Sequence, residues 1–278
     1  MPNRFLTGLI LALVTTAAAF GQDRPTDITI ATEGAYEPWN FTGPGGTLQG
    51  LEVDLARDLC ARMKVKCNVV AQDWDGLIPS LTAKKFDAIM ASMIVTEKRL
   101  AVIAFSEPYA PTSATFMVEK AGPLTSLPGT GTVVDLGGDQ AAVKKALEPV
   151  AVAIKGKAIG TQSSTANANF LDKYLKGVVD VREYKTTEQH DLDLKAGRID
   201  GVIAQKSALA PLLNKPEYKD FKLAGPTFVG DVFGKGIGVG LRKEDKVLKG
   251  MFDDAIKGAK ADGTIDKLAE KWLKSKLF

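Results

Sequence analysis

The sequence predicts an α/β fold of two facing lobes, each a mainly parallel sheet flanked by helices, with a ligand cleft between them. Three observations carry that expectation. Strand and helix patterns alternate along the chain, two pairs of segments echo each other in the same order, and a 45% apolar content supplies material for real cores.

The elements follow in order. The opening "MPNRFLTGLILALVTTAAAFGQD" has an early cation at Arg4, an apolar stretch from Phe5 to Phe20 and small residues from Ala17 to Gly21. This is the plan of a secretory signal peptide over residues 1–21, cut near Ala19 to Gly21. The apolar run falls short of the roughly 20 residues of a spanning helix. About 255 residues then remain. "DITIAT" (27–32) is a short apolar strand, "LEVDLARDLCARM" (51–63) repeats Leu51, Leu55 and Leu59 at helical spacing, and "CNVVA" is a strand again. Asp75 is a candidate cap for a helix "GLIPSLTAKK" with Pro79 in its first turn, followed by the strand "FDAIMAS". Ligands of such sheets bind beyond the carboxyl ends of the strands.

Without Arg4, 35 basic residues face 33 acidic ones, a net charge near +2, and the basic residues are scattered beside acids. That balance argues against nucleic acid and against an anionic membrane surface as partner. Cys60 and Cys67, in "DLCARMKVKCNVV", read in an oxidising compartment as a disulfide joining a helix end to the next strand. A closed zinc site needs four ligands, and the chain has one histidine, His190. That scarcity also disfavours a hydrolase with a histidine base. His190, in the polar run "TTEQHDLDL", is expected on a helix surface.

The echoes sharpen the architecture. "LTAKKFDAIMAS" (81–92) and "LKAGRIDGVIAQ" (194–205) share a helix end, a strand and a polar strand terminus, Ser92 in one copy and Gln205 in the other. "ITIATEG" (28–34) matches "KAIGTQS" (157–163) and sets Glu33 opposite Gln162. Glu33 and Ser92 are therefore expected on one wall of the cleft, Gln162 and Gln205 on the other.

The runs "YEPWNF", "GGTLQGLEVDLARDLCARM", "ASMIVTEKR", "AFSEPY", "AIGTQSST", "LDLKAGRIDGVIA" and "GVGLRKEDKVLKGMFDDAIKGAKADGTIDKLAEKW" together cover nearly the whole mature chain. They resemble the periplasmic solute-binding proteins of polar amino-acid ABC transporters, family 3. The similar branch takes lysine, arginine, ornithine, histidine or opines such as octopine and nopaline. The resemblance implies the type II periplasmic binding protein fold, a monomer that closes on a small amino-acid-type ligand, a membrane permease partner and no cofactor. Lobe one would combine residues 24–110 and 236–278, lobe two residues 115–228, with hinge strands at 110–114 and 229–236. The stretch from about Gly122 to Lys157 is longer than in compact members, and "TGTVVDLGGDQAAVKKAL" is expected to add a strand and a helix to lobe two, away from the cleft.

For the site, the resemblance implies that Arg99 grips a carboxylate beside Thr96, the N-cap of its helix, while "TQSSTAN" offers backbone N–H groups near Thr165, Ala166 and Asn167. The alternative for Arg99 is a surface pair with Glu97. Tyr36 and Trp74 would be faces for the ligand's side chain, with core packing as the alternative, and Glu33 would neutralise a cation lying there. Trp39 follows a proline and is expected to pack within the lobe. Ala91, Ser92, Met93 and Ile94 form the rest of this wall, with Ala91 and Ile94 standing where serines are common. Gln205 departs further. Most members carry an aspartate there for the ligand's α-ammonium, whereas an amide brings no charge and can also donate. The departure favours a ligand with a substituted nitrogen or a polar or acidic second end, such as an opine. A periplasmic enzyme on the same framework, resembling cyclohexadienyl dehydratases, is the other reading, and Glu33 would be its acid or base.

Overall fold

The structure is a computed structural model that describes residues 24–278. The expected signal peptide lies outside the described residues. The first sheet runs, in spatial order, Lys66–Ala71, Asp27–Thr32, Ala88–Ile89, Gly240–Leu241 and Ala104–Phe105. The second runs Asp180–Tyr184, Ala158–Gln162, Gly201–Gln205, Ala114–Glu119, Phe221–Val229 and Val133–Asp135. Both sheets are mixed and mainly parallel, with one strand in each, Gly240–Leu241 or Ala114–Glu119, running against the rest. Strands joined by crossover helices pair in parallel, as Asp27–Thr32 does with both neighbours. Segments that pass from one sheet to the other arrive in the opposite direction. Ala114–Glu119 therefore lies antiparallel to Gly201–Gln205, and Gly240–Leu241 antiparallel to Ala88–Ile89. The two crossing segments meet through bridges from Ile237 to Ile94 and to Ala110.

Helical periodicity places the core. Leu51, Leu55 and Leu59 of the Leu51–Met63 helix are fully buried on one face of the first sheet, against Phe252 and Ile256 of the Lys246–Ala261 helix, with Trp39 buried beside them. Leu77, Leu81, Phe86 and Ile103 fill the other face. The second sheet is covered the same way, by Phe170 and Val150 packed with its own Phe228 on one side and by Leu194, Leu209 and Tyr218 on the other. The inserted stretch forms the Val133–Asp135 edge strand and the Gln140–Ala153 helix, capped by Asp139.

Several local expectations change. Asp75 lies inside a 3-10 turn, Trp74–Gly76, so the following helix begins at Leu77 with Gly76 as its cap and ends at Thr82. The strand "FDAIMAS" keeps ladder pairing only over Ala88–Ile89, because the chain turns away at Ser92, whose φ is 50°. His190 is not on the surface. It is buried on the Thr187–Lys195 helix, its Nδ1 3.0 Å from Asp191 Oδ1. Gly160 explains how close that helix sits, since a Cβ there would lie 2.6 Å from Ile199 and 3.2 Å from His190. Polarity in the sequence misled here because Asp191 also accepts from the Tyr218 hydroxyl at 2.6 Å, so the buried acid finds its partners inside the lobe, while His190 Nε2 has none among the described residues.

Cys60 and Cys67 are joined, with their Cα atoms 6.1 Å apart, and tie the Leu51–Met63 helix to the next strand. A cross-link over so short a loop stabilises by about 2.5 kcal/mol through the unfolded chain. Calorimetry of C60S/C67S should show a melting temperature lower by about 5–10 °C, as that energy implies for a chain of this size.

Candidate functional site

The carboxyl ends of the strands in both sheets meet in one cleft. Its lining includes Glu33, Tyr36, Trp74, Ala91, Ser92, Ile94 and Arg99 from the first lobe. The second lobe contributes Gln162, Thr165, Ala166, Asn167, Thr187, Ala204 and Gln205. The space between them is about 400 Å³, counting the part open to solvent. Of the residues expected here, Met93 is the exception. Its side chain is buried in the core under the Ala88–Ile89 strand, and it presents its carbonyl to the Gly238 N–H at 3.2 Å. The left-handed turn at Ser92 sends the following side chain into the core. Thr187 and Ala204 were not foreseen. Ala204 immediately precedes Gln205 on its strand, and Thr187 opens the His190 helix and donates to the Ala35 carbonyl at 3.4 Å across the cleft.

The echoed positions face each other directly. Gln162 Nε2 donates to Glu33 Oε1 at 2.6 Å and to the Lys185 carbonyl at 3.0 Å. Ser92 Oγ donates to Gln205 Oε1 at 3.1 Å, and Gln205 Nε2 returns a bond to the Ser92 carbonyl at 3.2 Å. Burial pushes the Glu33 carboxyl up to about 7, against the lowering effect of the Gln162 bond. Burial also pushes the Tyr36 hydroxyl well above its ordinary value, which keeps it neutral.

Thr96 caps the short Glu97–Leu100 helix, its side chain accepting the Arg99 N–H at 3.4 Å. That cap turns the half-buried Arg99 inward. Its guanidinium lies 5.1 Å from the Trp74 ring and donates to the Ile94 carbonyl at 2.9 Å and, across the cleft, to the Ser164 carbonyl at 3.3 Å. It makes no ion pair among the described residues, and the nearest acid in sequence, Glu97, instead faces Lys235. Burial lowers the Arg99 group to about 10, so it remains a cation at neutral pH. On the opposite wall Thr165 caps the Ala166–Tyr174 helix by accepting the Ala168 N–H at 3.2 Å. The N–H groups of Ala166 and Asn167 at the start of that helix have no intrahelical acceptor and are the donors an anion would meet. Asn167 Oδ1 is buried without a partner, an acceptor available to a ligand nitrogen.

One polar residue beneath the wall escaped the sequence reading. Glu52 is buried under Ser92 and bonded to it. The signal was present, since Glu52 stands three residues before Leu55 and seven before Leu59, an acid on the apolar stripe of its helix.

The sequence profile of the bacterial extracellular solute-binding proteins, family 3, matches residues 28–275. The chain is 46% identical to the octopine-binding periplasmic protein of Rhizobium meliloti, over 97% of each chain. It is 34% identical to the lysine/arginine/ornithine-binding periplasmic protein of Escherichia coli, over 98% of this chain and 97% of that one. Among solved structures, a Salmonella typhimurium periplasmic binding protein of high arginine specificity superposes with a TM-score of 0.73 at 25% identity, covering 89% of this chain and 99% of that one. A lysine complex from Silicibacter pomeroyi gives 0.71 at 28% identity, covering 90% and 100%. An ancestral precursor of cyclohexadienyl dehydratase gives 0.70 at 25%, covering 89% and 95%.

The raised Glu33 group carries a sign for stability. Its folded value, about 7, exceeds the ordinary 4.5, so the folded state holds the proton more tightly. The resulting stabilisation is complete below about 4.5 and is lost as pH rises through about 7. Melting temperature measured across that window should fall for the wild-type protein with a component that Glu33→Gln removes; identical slopes for the two proteins would contradict the assignment.

Proposed function

The chain belongs to the bacterial extracellular solute-binding proteins of family 3, and from that premise we propose that it captures an opine, an arginine-type amino acid conjugated through its nitrogen to a second carboxylic acid. Its relatives across nearly the full length are binding proteins of amino acids and opines. The chain is a solute-binding protein of an amino-acid-type importer and not an enzyme.

The observation that carries the ligand class is the charge of the closed cleft. Its lining holds one cation, Arg99, and one acid, Glu33, with the neutral Gln205 on the far wall. A free basic amino acid brings one carboxylate and two cationic groups, and would leave a positive charge uncompensated in a site closed from water, at a cost of several kcal/mol. An opine's second carboxylate removes that surplus. In this reading Arg99 and the N–H groups after Thr165 hold carboxylates. The cationic end lies on Trp74 and Tyr36 toward Glu33, and Gln205 with Asn167 meets the substituted nitrogen. Glu33, the enzyme reading's acid or base, serves as a countercharge.

The protein would work in the periplasm as a monomer, after loss of residues 1–21. The paired segments at 110–114 and 229–236 would act as hinges between a lobe of residues 24–110 with 236–278 and a lobe of 115–228. An ABC permease would accept the closed form. Ligand contacts drawn from both walls exist together only when the lobes are closed, so binding shifts the population to that state.

Calorimetric titration with arginine, lysine, histidine, octopine and nopaline tests the ligand class. Octopine should bind about tenfold or more tighter than arginine; tight binding of arginine alone would sink the opine reading. Arg99→Ala should weaken the tightest ligand about a hundredfold, by loss of a paired charge-assisted grip. Gln205→Asp, which supplies the missing countercharge, should shift preference toward free arginine by about tenfold.

A further inference from the structure

Glu52 lines no part of the cleft, yet its carboxylate joins the segments that build the first lobe's wall. It is 1% exposed. Oε1 accepts the Ser92 backbone N–H at 2.6 Å and also the Tyr109 hydroxyl, and Oε2 accepts Asn40 Nδ2 at 2.6 Å. Asn40 Oδ1 in turn accepts the N–H of Gly34, the residue after Glu33, at 2.8 Å. Tyr109 donates its own N–H to the Ile237 carbonyl at 2.8 Å, which links the two crossing segments. Ser92 sits at a φ of 50°, a left-handed state that a serine keeps only when its surroundings hold it. With its N–H turned down to Glu52, Ser92 presents its hydroxyl and carbonyl to Gln205.

We propose that Glu52 is a positioning residue for ligand binding. Through Ser92 and Asn40 it fixes the two first-lobe loops in the geometry that meets Gln205 and Gln162 on closure. Its three neighbours are all donors, so the role calls for an acceptor with no donor of its own. A glutamine there would set an NH₂ group against that of Asn40.

The inference rests on the binding function proposed above, and the test separates the two. In titrations with octopine, E52Q should weaken affinity about tenfold. N40D/E52Q, which moves the charge one partner along and restores the donor–acceptor match, should return to within about threefold of wild type. In a Q162A/Q205A background the effect of E52Q should fall below about threefold, because Glu52 touches neither glutamine and acts on them through Asn40 and Ser92. Equal factors in both backgrounds, or an E52Q protein of lower melting temperature with unchanged affinity, would reduce Glu52 to a structural residue. A ligand-independent arm is amide exchange at Ser92, which should quicken about tenfold in E52Q and recover in N40D/E52Q. Unchanged exchange overturns the proposal whatever the ligand. Failure of every compound in the panel to bind sinks the functional reading and leaves the exchange result to decide this one. E52D keeps the charge but shortens the reach by one methylene, and carries the same measurements if E52Q is too unstable to purify.

Discussion

A guanidinium taken out of water must find acceptors, and the position of Arg99 between two lobes depends on where it finds them. It donates to the Ile94 carbonyl of its own lobe and to the Ser164 carbonyl of the other, and its face lies along Trp74. Carbonyl oxygens satisfy donors but supply no full negative charge. The cleft is thus built around a cation that bonds to two carbonyls and makes no ion pair among the described residues. Thr96 on one side and Thr165 on the other cap helices that begin at the cleft, so both walls are built with the same local device.

Much of this geometry was legible in the sequence because the two lobes repeat one pattern. A strand that ends in a polar residue before a helix puts that residue at the carboxyl edge of the sheet, and the structure sets Ser92 against Gln205 and Glu33 against Gln162. The Leu51–Met63 helix was legible from its leucine spacing for the same reason, since its buried stripe is long and regular. Short-range features were less so. The Ala88–Ile89 strand is cut short by the turn at Ser92, and a left-handed serine leaves no mark in composition. Met93 was misplaced for the same reason, since the turn at Ser92 directs its side chain into the core.

Buried polar groups were the hardest to read. His190 and Tyr218 both bond to Asp191 within the second lobe, and Asn40, Tyr109 and Ser92 all bond to Glu52 within the first. Each residue taken singly looks like solvated surface. The partners come from far apart in the chain, Glu52 and Tyr109 being 57 residues apart, so no local window contains the pair. What a window does contain is the misfit of an acid on an apolar stripe.

The two buried carboxylates of the first lobe also divide the work of charge. Glu52 is surrounded by donors and lies outside the lining, so its charge is spent on backbone and side chains of its own lobe. Glu33 has one amide partner across the cleft and stays in the lining, where burial holds its proton up to about 7. A cation placed beside Glu33 would favour its ionised form, and the energy of that interaction would be available only in the closed state. With Gln205 neutral, negative charge in the lining is concentrated at Glu33 rather than repeated at the amine position. The two ends of the cleft thus differ in kind, an acid at Glu33 and an uncharged amide at Gln205, so a ligand meets a countercharge at one end and dipoles at the other.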